Sequence, residues 1–293
     1  VYNMGMRFSF IKLRKYCYIL SLIVIIAGFI SLGIQGLNLG IDFTGGSLIE
    51  LKFEQSVAVE DVRSVLDESG LPQDSMVQES EGNVIMIRTE DLSQEESTKL
   101  LQSMEEEFGS YDMLRNESVG PTIGKELRNN AILALVIAFV LMVVYIAIRF
   151  ELLTGLAAVS GVVHVILITV GLVSIFRLDV DSTFIAALLT IVGYSINDTI
   201  VIFDRIRENM GKRKKNEPLD ELVNTSVWQT LVRSVNTGVS VILALLALLI
   251  FGGTTLKTFV VVMLIGVVVG AYSSIFISSP LWYDYRRLRG GRL

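Results

Sequence analysis

Six separate stretches of this chain, residues 16–35, 131–148, 155–176, 183–203, 231–251 and 258–278, are each almost unbroken runs of apolar residues. A helix needs about 20 such residues to cross the hydrocarbon of a bilayer. Lipid offers the backbone no hydrogen-bond partners, so segments of this kind must be helical. The pattern therefore predicts a polytopic α-helical membrane protein with six transmembrane helices. Composition agrees, with 52% hydrophobic residues in 293 and a mean hydropathy of +0.58. The first stretch follows Arg7, Lys12, Arg14 and Lys15, as the core of a secretory signal would. It is long enough to span, however, and Ile34-Gln35-Gly36-Leu37-Asn38-Leu39 offers no small-residue cleavage site, so an uncleaved first span is expected. Cys17 is the only cysteine, which excludes an internal disulfide and a cysteine-based metal cluster.

Charge divides the chain into regions. Residues 37–130, between the first two spans, carry 20 acids against 7 bases, while the remainder carries 18 bases against 10 acids. The bases gather at the N-terminus, at Lys212-Arg213-Lys214-Lys215 and at Arg286-Arg287-Leu288-Arg289, which six spans place on one side. The positive-inside rule makes that side cytoplasmic, with both termini there. The expected organisation is a cytoplasmic N-terminus and first span over 1–36 and an acidic extracytoplasmic domain over 37–130. A five-span bundle over 131–280, with a basic cytoplasmic loop at 204–230, and a basic tail over 281–293 complete it. The basic clusters are expected to serve topology and contact with membrane lipids, the alternative being a docking surface for a cytoplasmic partner. No nucleic-acid partner is expected.

The acidic insertion predicts a small α+β domain. Residues 47–53 alternate as a strand, 57–69 have helical spacing ending at Gly70, and 75–79 with 84–88 flank the turn Glu81-Gly82-Asn83. Ser93 and Glu96 make a capping box that opens a helix to Phe108, and 111–118 reads as a last strand. The order βαββαβ is ferredoxin-like. The domain has no His and no Cys, and its acids lie mostly on helix faces, so it reads as a binding or lever element. On its two flanks Gly40, Asp42, Gly45 and Gly46, and then Gly120 and Pro121, suit sharp turns or a hinge.

The fourth span contains VGYSINDTIVIF, with a carboxylate where water is scarce. Thr190, Tyr194, Asn197, Asp198 and Val201 share one helical face. An ionisable residue inside a span costs about 2.5–3.5 kcal/mol on insertion scales and is a functional candidate by default. The fifth span offers Arg233, Asn236, Thr237 and Ser240 as a stripe at helical spacing, entering from the same side. Antiparallel packing of the two spans is expected to set Arg233 beside Asp198, the alternative being an interfacial arginine that reaches out to the lipid headgroups. The arginine would favour the charged carboxylate and burial the neutral one, a balance suited to loading and releasing a proton. His164, the only histidine, is either a relay or a bond to a neighbouring helix. Gly266, Gly270, Ser274 and Ser278 read as a close-packing seam. Asp204 and Glu208 are expected to be solvated or met by bases.

GIDFTGG (40–46), SVGPTIGKELR (118–128), VGYSINDTIVIFDRIREN (192–209), FGGTTLKTF (251–259) and MLIGVVVGAYSSI (263–275) together resemble the SecF family of the bacterial Sec protein-export machinery, a relative of the proton-driven RND transporters. The resemblance covers nearly the whole chain. It implies a subunit of the bacterial inner membrane that acts with SecD and the SecYEG channel, and with YajC, on exported unfolded polypeptides. It implies no cofactor, the proton gradient being the energy source, and it places Asp198 and Arg233 on the proton pathway. Some family members carry His-Asp in the third span, where this chain has His164-Val165. The competing expectations are an RND-type small-molecule or ion exporter subunit and a scaffolding subunit without ion chemistry. An enzyme is the weakest reading, since no nucleophile–base set or metal cluster is present.

Overall fold

The computed structural model describes residues 8–71, 75–80, 82–213, 217–253 and 255–289. Arg7, Glu81, Lys214 and Lys215, which the sequence reading placed in a basic cluster or a turn, lie outside the described residues. The chain divides into two compact units, one of residues 1–38, 134–179 and 183–293, the other of 39–133 with 180–182. The second unit thus takes in a short segment that the sequence reading left with the bundle.

The first unit is helical. Its spans are α1 (Phe10–Gln35), α5 (Pro121–Arg149), whose residues 121–133 belong to the other unit, α6 (Leu152–Ile175), α7 (Ser182–Gly211) and α8 (Leu219–Phe251). The sixth, Lys257–Arg289, is built from α9 (Lys257–Ser273), a π-helical turn at Ser274–Ser278 and α10 (Ser279–Arg289). All six are long and apolar enough to cross a membrane. α6 and the sixth span are the most enclosed, whereas α1 and α5 present Ile23, Phe29, Ile137 and Leu141 outward. That outward surface is the one lipid can cover. α1 and α6 cross where Gly28 meets Gly171, and a Cβ built on Gly28 would lie 2.7 Å from the Gly171 Cα. Two backbones this close gain van der Waals contact that larger side chains would prevent, which is how helices associate in a solvent as apolar as themselves.

The second unit carries an antiparallel sheet in the order β3-β4-β2-β5, from β2 (Gly46–Phe53), β3 (Met76–Ser80), β4 (Val84–Thr89) and β5 (Tyr111–Val119). Helices α3 (Val59–Glu68) and α4 (Gln94–Phe108) complete the βαββαβ succession. Ile49, Leu51 and Phe53 of β2 and Ile85 and Ile87 of β4 meet Val62 and Leu66 of α3 and Leu100 and Met104 of α4 in one core. Burying each such side chain is worth about 1.5–3 kcal/mol. α4 opens with both halves of its capping box: Glu96 N donates to Ser93 Oγ at 3.3 Å and Ser93 N donates to Glu96 Oε2 at 2.8 Å. Two short strands, β1 (Asn38–Leu39) and β6 (Asp179–Val180), pair as a separate two-stranded sheet.

The GIDFTGG segment forms a single helical turn, α2 (Ile41–Thr44), closed by Gly45 at φ 77° and Gly46 at φ 119°. Only glycine enters that region without strain. The backbone of the turn also abuts the first turn of α5, since a Cβ on Gly124 would fall 2.9 Å from Gly45 N and one on Gly45 would fall 2.9 Å from the Pro121 Cα. The two glycine-bearing flanks of the domain, far apart in sequence, are therefore one packed junction. Asp42 joins it by accepting a hydrogen bond from Ser182 N at 2.8 Å.

Candidate intramembrane polar site

α7 and α8 run antiparallel after the loop between them, zipped by polar contacts. Asn209 Nδ2 donates to Ser226 Oγ at 2.8 Å, Arg205 Nε donates to Gln229 Oε1 at 2.7 Å, and Ser234 Oγ donates to Asp198 Oδ1 at 2.5 Å. The register climbs α7 as it descends α8, so Asp198 is the contact deepest in the membrane. Asp198 is 9% exposed, and its Oδ2 is buried without a hydrogen-bond partner. A carboxylate oxygen in this state is costly, because nothing replaces the water it has lost. The Ser195 hydroxyl, one turn earlier on α7, is likewise buried and unpartnered.

The expected neighbour is displaced by one residue. Ser234, and not Arg233, meets the carboxylate, and no ion pair joins Asp198 to Arg233 among the described residues. The physical reason is rotation: a helix turns about 100° per residue, so the buried face of α8 is carried by Thr230, Ser234, Gly238 and Leu245. The stripe of Arg233, Asn236, Thr237 and Ser240 is exposed on the outside of the unit. Thr237 and Ser240 donate to carbonyls of their own helix, at Arg233 and Asn236. On α7, Thr190 and Asn197 are also exposed, Tyr194 is half-buried, and Asp198 alone of the polar face is buried. The Tyr194 hydroxyl lies against α8 at Gly238, where a Cβ would sit 3.4 Å from it. The site is thus a carboxylate held by serine on its closed side, with Asn197, Asn236 and Arg233 outside it on an open side.

His164 belongs to a separate node. Its Nδ1 is 3.1 Å from Ser273 Oγ and its Nε2 is 2.9 Å from Ser21 Oγ. Ser273 spends its own hydrogen on Gly161 O at 2.9 Å, so it accepts from His164 Nδ1–H, and Nε2 of the neutral ring accepts from Ser21. Tyr272 extends the node, at 3.3 Å from Ser21 Oγ and donating to Cys17 O at 3.1 Å. Of the two expectations for His164, the geometry is that of a tie between α6, α1 and α9.

The seam of Gly266, Gly270, Ser274 and Ser278 packs as its spacing implied, Gly266 against Ile191 and Gly270 against Ser195. Ser274 also bonds Thr199 Oγ1 at 2.9 Å. Sequence reasoning passed over Ser234, Ser21 and Ser273. Their only signal was serine in an apolar run, which does not reveal a partner far away in the chain. Asp204 and Glu208 are met by bases: Asp204 by Arg149 at 2.8 Å and Arg207 at 3.2 Å, Glu208 by Arg205 and by Lys212 at 2.6 Å.

Two family models match the chain. The C-terminal model of the protein export membrane proteins SecD/SecF covers residues 98–288, and the SecD/SecF GG motif covers 30–57. The protein translocase subunit SecF of Sebaldella termitidis is 43% identical, with 97% of this chain and 94% of that one aligned. SecDF of Bacillus subtilis is 39% identical over 96% of this chain, which spans only 38% of that relative. The crystal structure of SecDF from Thermus thermophilus, a translocon-associated membrane protein, superposes with a TM-score of 0.90 at 37% identity, over 98% of this chain and 40% of that one. A SecDF structure in a super-membrane-facing form gives 0.71.

Proposed function

Because this chain belongs to the SecD/SecF family of protein export membrane proteins, we propose that it is the SecF subunit of the Sec protein-export machinery and acts with SecD to draw preproteins across the membrane at the expense of the proton gradient. The carrying observation is Asp198, a buried carboxylate with one oxygen unpartnered, beside an open polar side. An arginine exposed to hydrocarbon costs about 2.5–3.5 kcal/mol. SecD covers the open side, pairs with Arg233 and Asn236, and encloses a path for the proton to Asp198. The relatives in which SecD and SecF form one chain support this pairing, since this chain matches only their SecF-like two fifths.

The chain lies in the bacterial inner membrane with the Lys212–Arg213 end in the cytoplasm, where its bases satisfy the positive-inside rule. SecYEG and YajC are its further partners. One charge moved through 100 mV supplies about 2.3 kcal/mol. A proton on Asp198 turns an acceptor into a donor, so the Ser234 contact must rearrange and the α7–α8 pair repacks. Coupling requires two states of the complex that differ in proton affinity. One SecDF structure is described as a super-membrane-facing form, which supports such a complex having more than one arrangement. The change passes to the α+β unit through its covalent connections to the helical unit, after residue 38 and before residue 134. This is the work of a translocase subunit rather than an enzyme.

Asn236→Cys tests the partnership. Purified from native membranes and treated with a bifunctional thiol reagent, with single cysteines placed on the spans of the co-purifying subunit, it is expected to cross-link to a six-span SecD. Co-purification without any cross-link from position 236, alongside labelling by lipid-soluble maleimide, would mean that α8 faces lipid.

A further inference from the structure

At the end of the bundle where α5 finishes, a cavity of about 210 Å³ has Arg149, Arg207 and Arg286 on its polar side and Phe150, Phe203 and Trp282 among its apolar walls. Three guanidinium groups face two carboxylates there. Arg149 and Arg207 share Asp204, at 2.8 and 3.2 Å, and Arg286 takes Glu151 at 3.2 Å. The cluster retains one net positive charge. Each guanidinium has five N–H donors, and these contacts engage Nη2 of Arg149, Nη2 of Arg207 and Nη1 of Arg286, leaving donors uncommitted on all three. Aromatic faces fix two of the planes, Arg149 over Phe150 at 5.2 Å and Arg286 over Trp282 at 5.6 Å. Ile148 and Leu152, on either side of this corner in the chain, are 83% and 68% exposed and belong to the lipid-facing surface. The cavity therefore lies where hydrocarbon gives way to headgroups.

We propose that this cavity binds the phosphodiester headgroup of an anionic glycerophospholipid. A phosphodiester carries a single negative charge and matches the net charge of the cluster. Its oxygens fit the planar arginine forks, which suit phosphate better than a point charge does. The apolar walls receive the glycerol end and the first acyl carbons. Basic pockets between transmembrane helices recognise lipid headgroups in this way. The Asp204 and Glu151 carboxylates hold the arginines in place and prevent a more highly charged anion from being favoured.

The test is native mass spectrometry of the full chain in detergent, titrated with phosphatidylglycerol, phosphatidylcholine or glycerol 3-phosphate. Phosphatidylglycerol is expected to be retained at a concentration roughly tenfold below that needed for phosphatidylcholine, the scale of one or two charge contacts at a membrane surface. The double variant R207Q/R286Q is expected to lose that preference, and R63Q/R177Q, which removes two positive charges outside the cavity, to keep it. R207K/R286K keeps the charge without the fork and stands in should the glutamine variant fail to fold; it is expected to reduce the preference. Equal retention of the two lipids, or an undiminished preference in the cavity variants, would overturn the proposal. Saturation by glycerol 3-phosphate at the same concentration as the lipid would assign the site to a soluble phosphate ester and overturn the lipid.

Discussion

At the scale of single residues, what decides the site is which side of a helix a side chain leaves from. Arg233 and Ser234 are neighbours in sequence, yet one is exposed and the other holds Asp198. The sequence made Asp198 conspicuous, because a carboxylate among Ile and Val has a cost that needs a reason. It could not choose between Arg233 and Ser234. In a water-soluble helix the apolar stripe marks the buried face, but a membrane helix is apolar towards lipid and towards its neighbours alike, so periodicity loses that meaning. His164 was equally visible and equally ambiguous, since its partners Ser21 and Ser273 lie 143 and 109 residues away. As a tie it makes a definite prediction. His164→Phe removes two interhelical hydrogen bonds and is expected to lower the stability of the bundle by about 1–2 kcal/mol, read as a lower melting temperature, while leaving the pH profile of export unchanged. A displaced pH profile would make it a relay.

At the scale of elements, local rules worked where the chemistry is local. The Ser93–Glu96 box was legible because a cap is written within four residues, and the structure has both of its hydrogen bonds. The backbone N–H and the hydroxyl of Ser93 hold the Glu96 carboxyl below the usual glutamate range. A carboxyl with a depressed pKa stabilises the folded state above its unfolded value, about 4.3, and that contribution is lost as pH falls through the folded value. Thermal melts of wild type and Glu96→Gln are therefore expected to differ near pH 7 and to converge below about pH 4; a gap independent of pH would show that the carboxylate charge adds nothing. The strands of the α+β unit were legible too, from alternation and from the turn residues between them. The π-turn at Ser274–Ser278, where Ser279 Oγ donates to Ser274 O, was not. Neither was the Gly28–Gly171 crossing, because it joins two helices far apart in the chain and no spacing rule records it.

At the scale of the whole molecule, six spans and one inserted α+β unit follow from hydropathy and charge, because lipid leaves so few alternatives. The chain is one subunit's share of a larger device. Its polar stripe on α8 is exposed, and in the function proposed above it meets SecD beside Asp198. Asp198→Asn keeps the shape of the side chain and an oxygen for Ser234 but cannot bind and release a proton. The direct test is export into inverted membrane vesicles with and without an imposed proton gradient, comparing this variant with wild type at equal amounts of assembled complex. The account predicts that the acceleration by the gradient disappears in the variant while its partner still co-purifies. A variant that keeps the full acceleration would contradict it and leave the chain a scaffold.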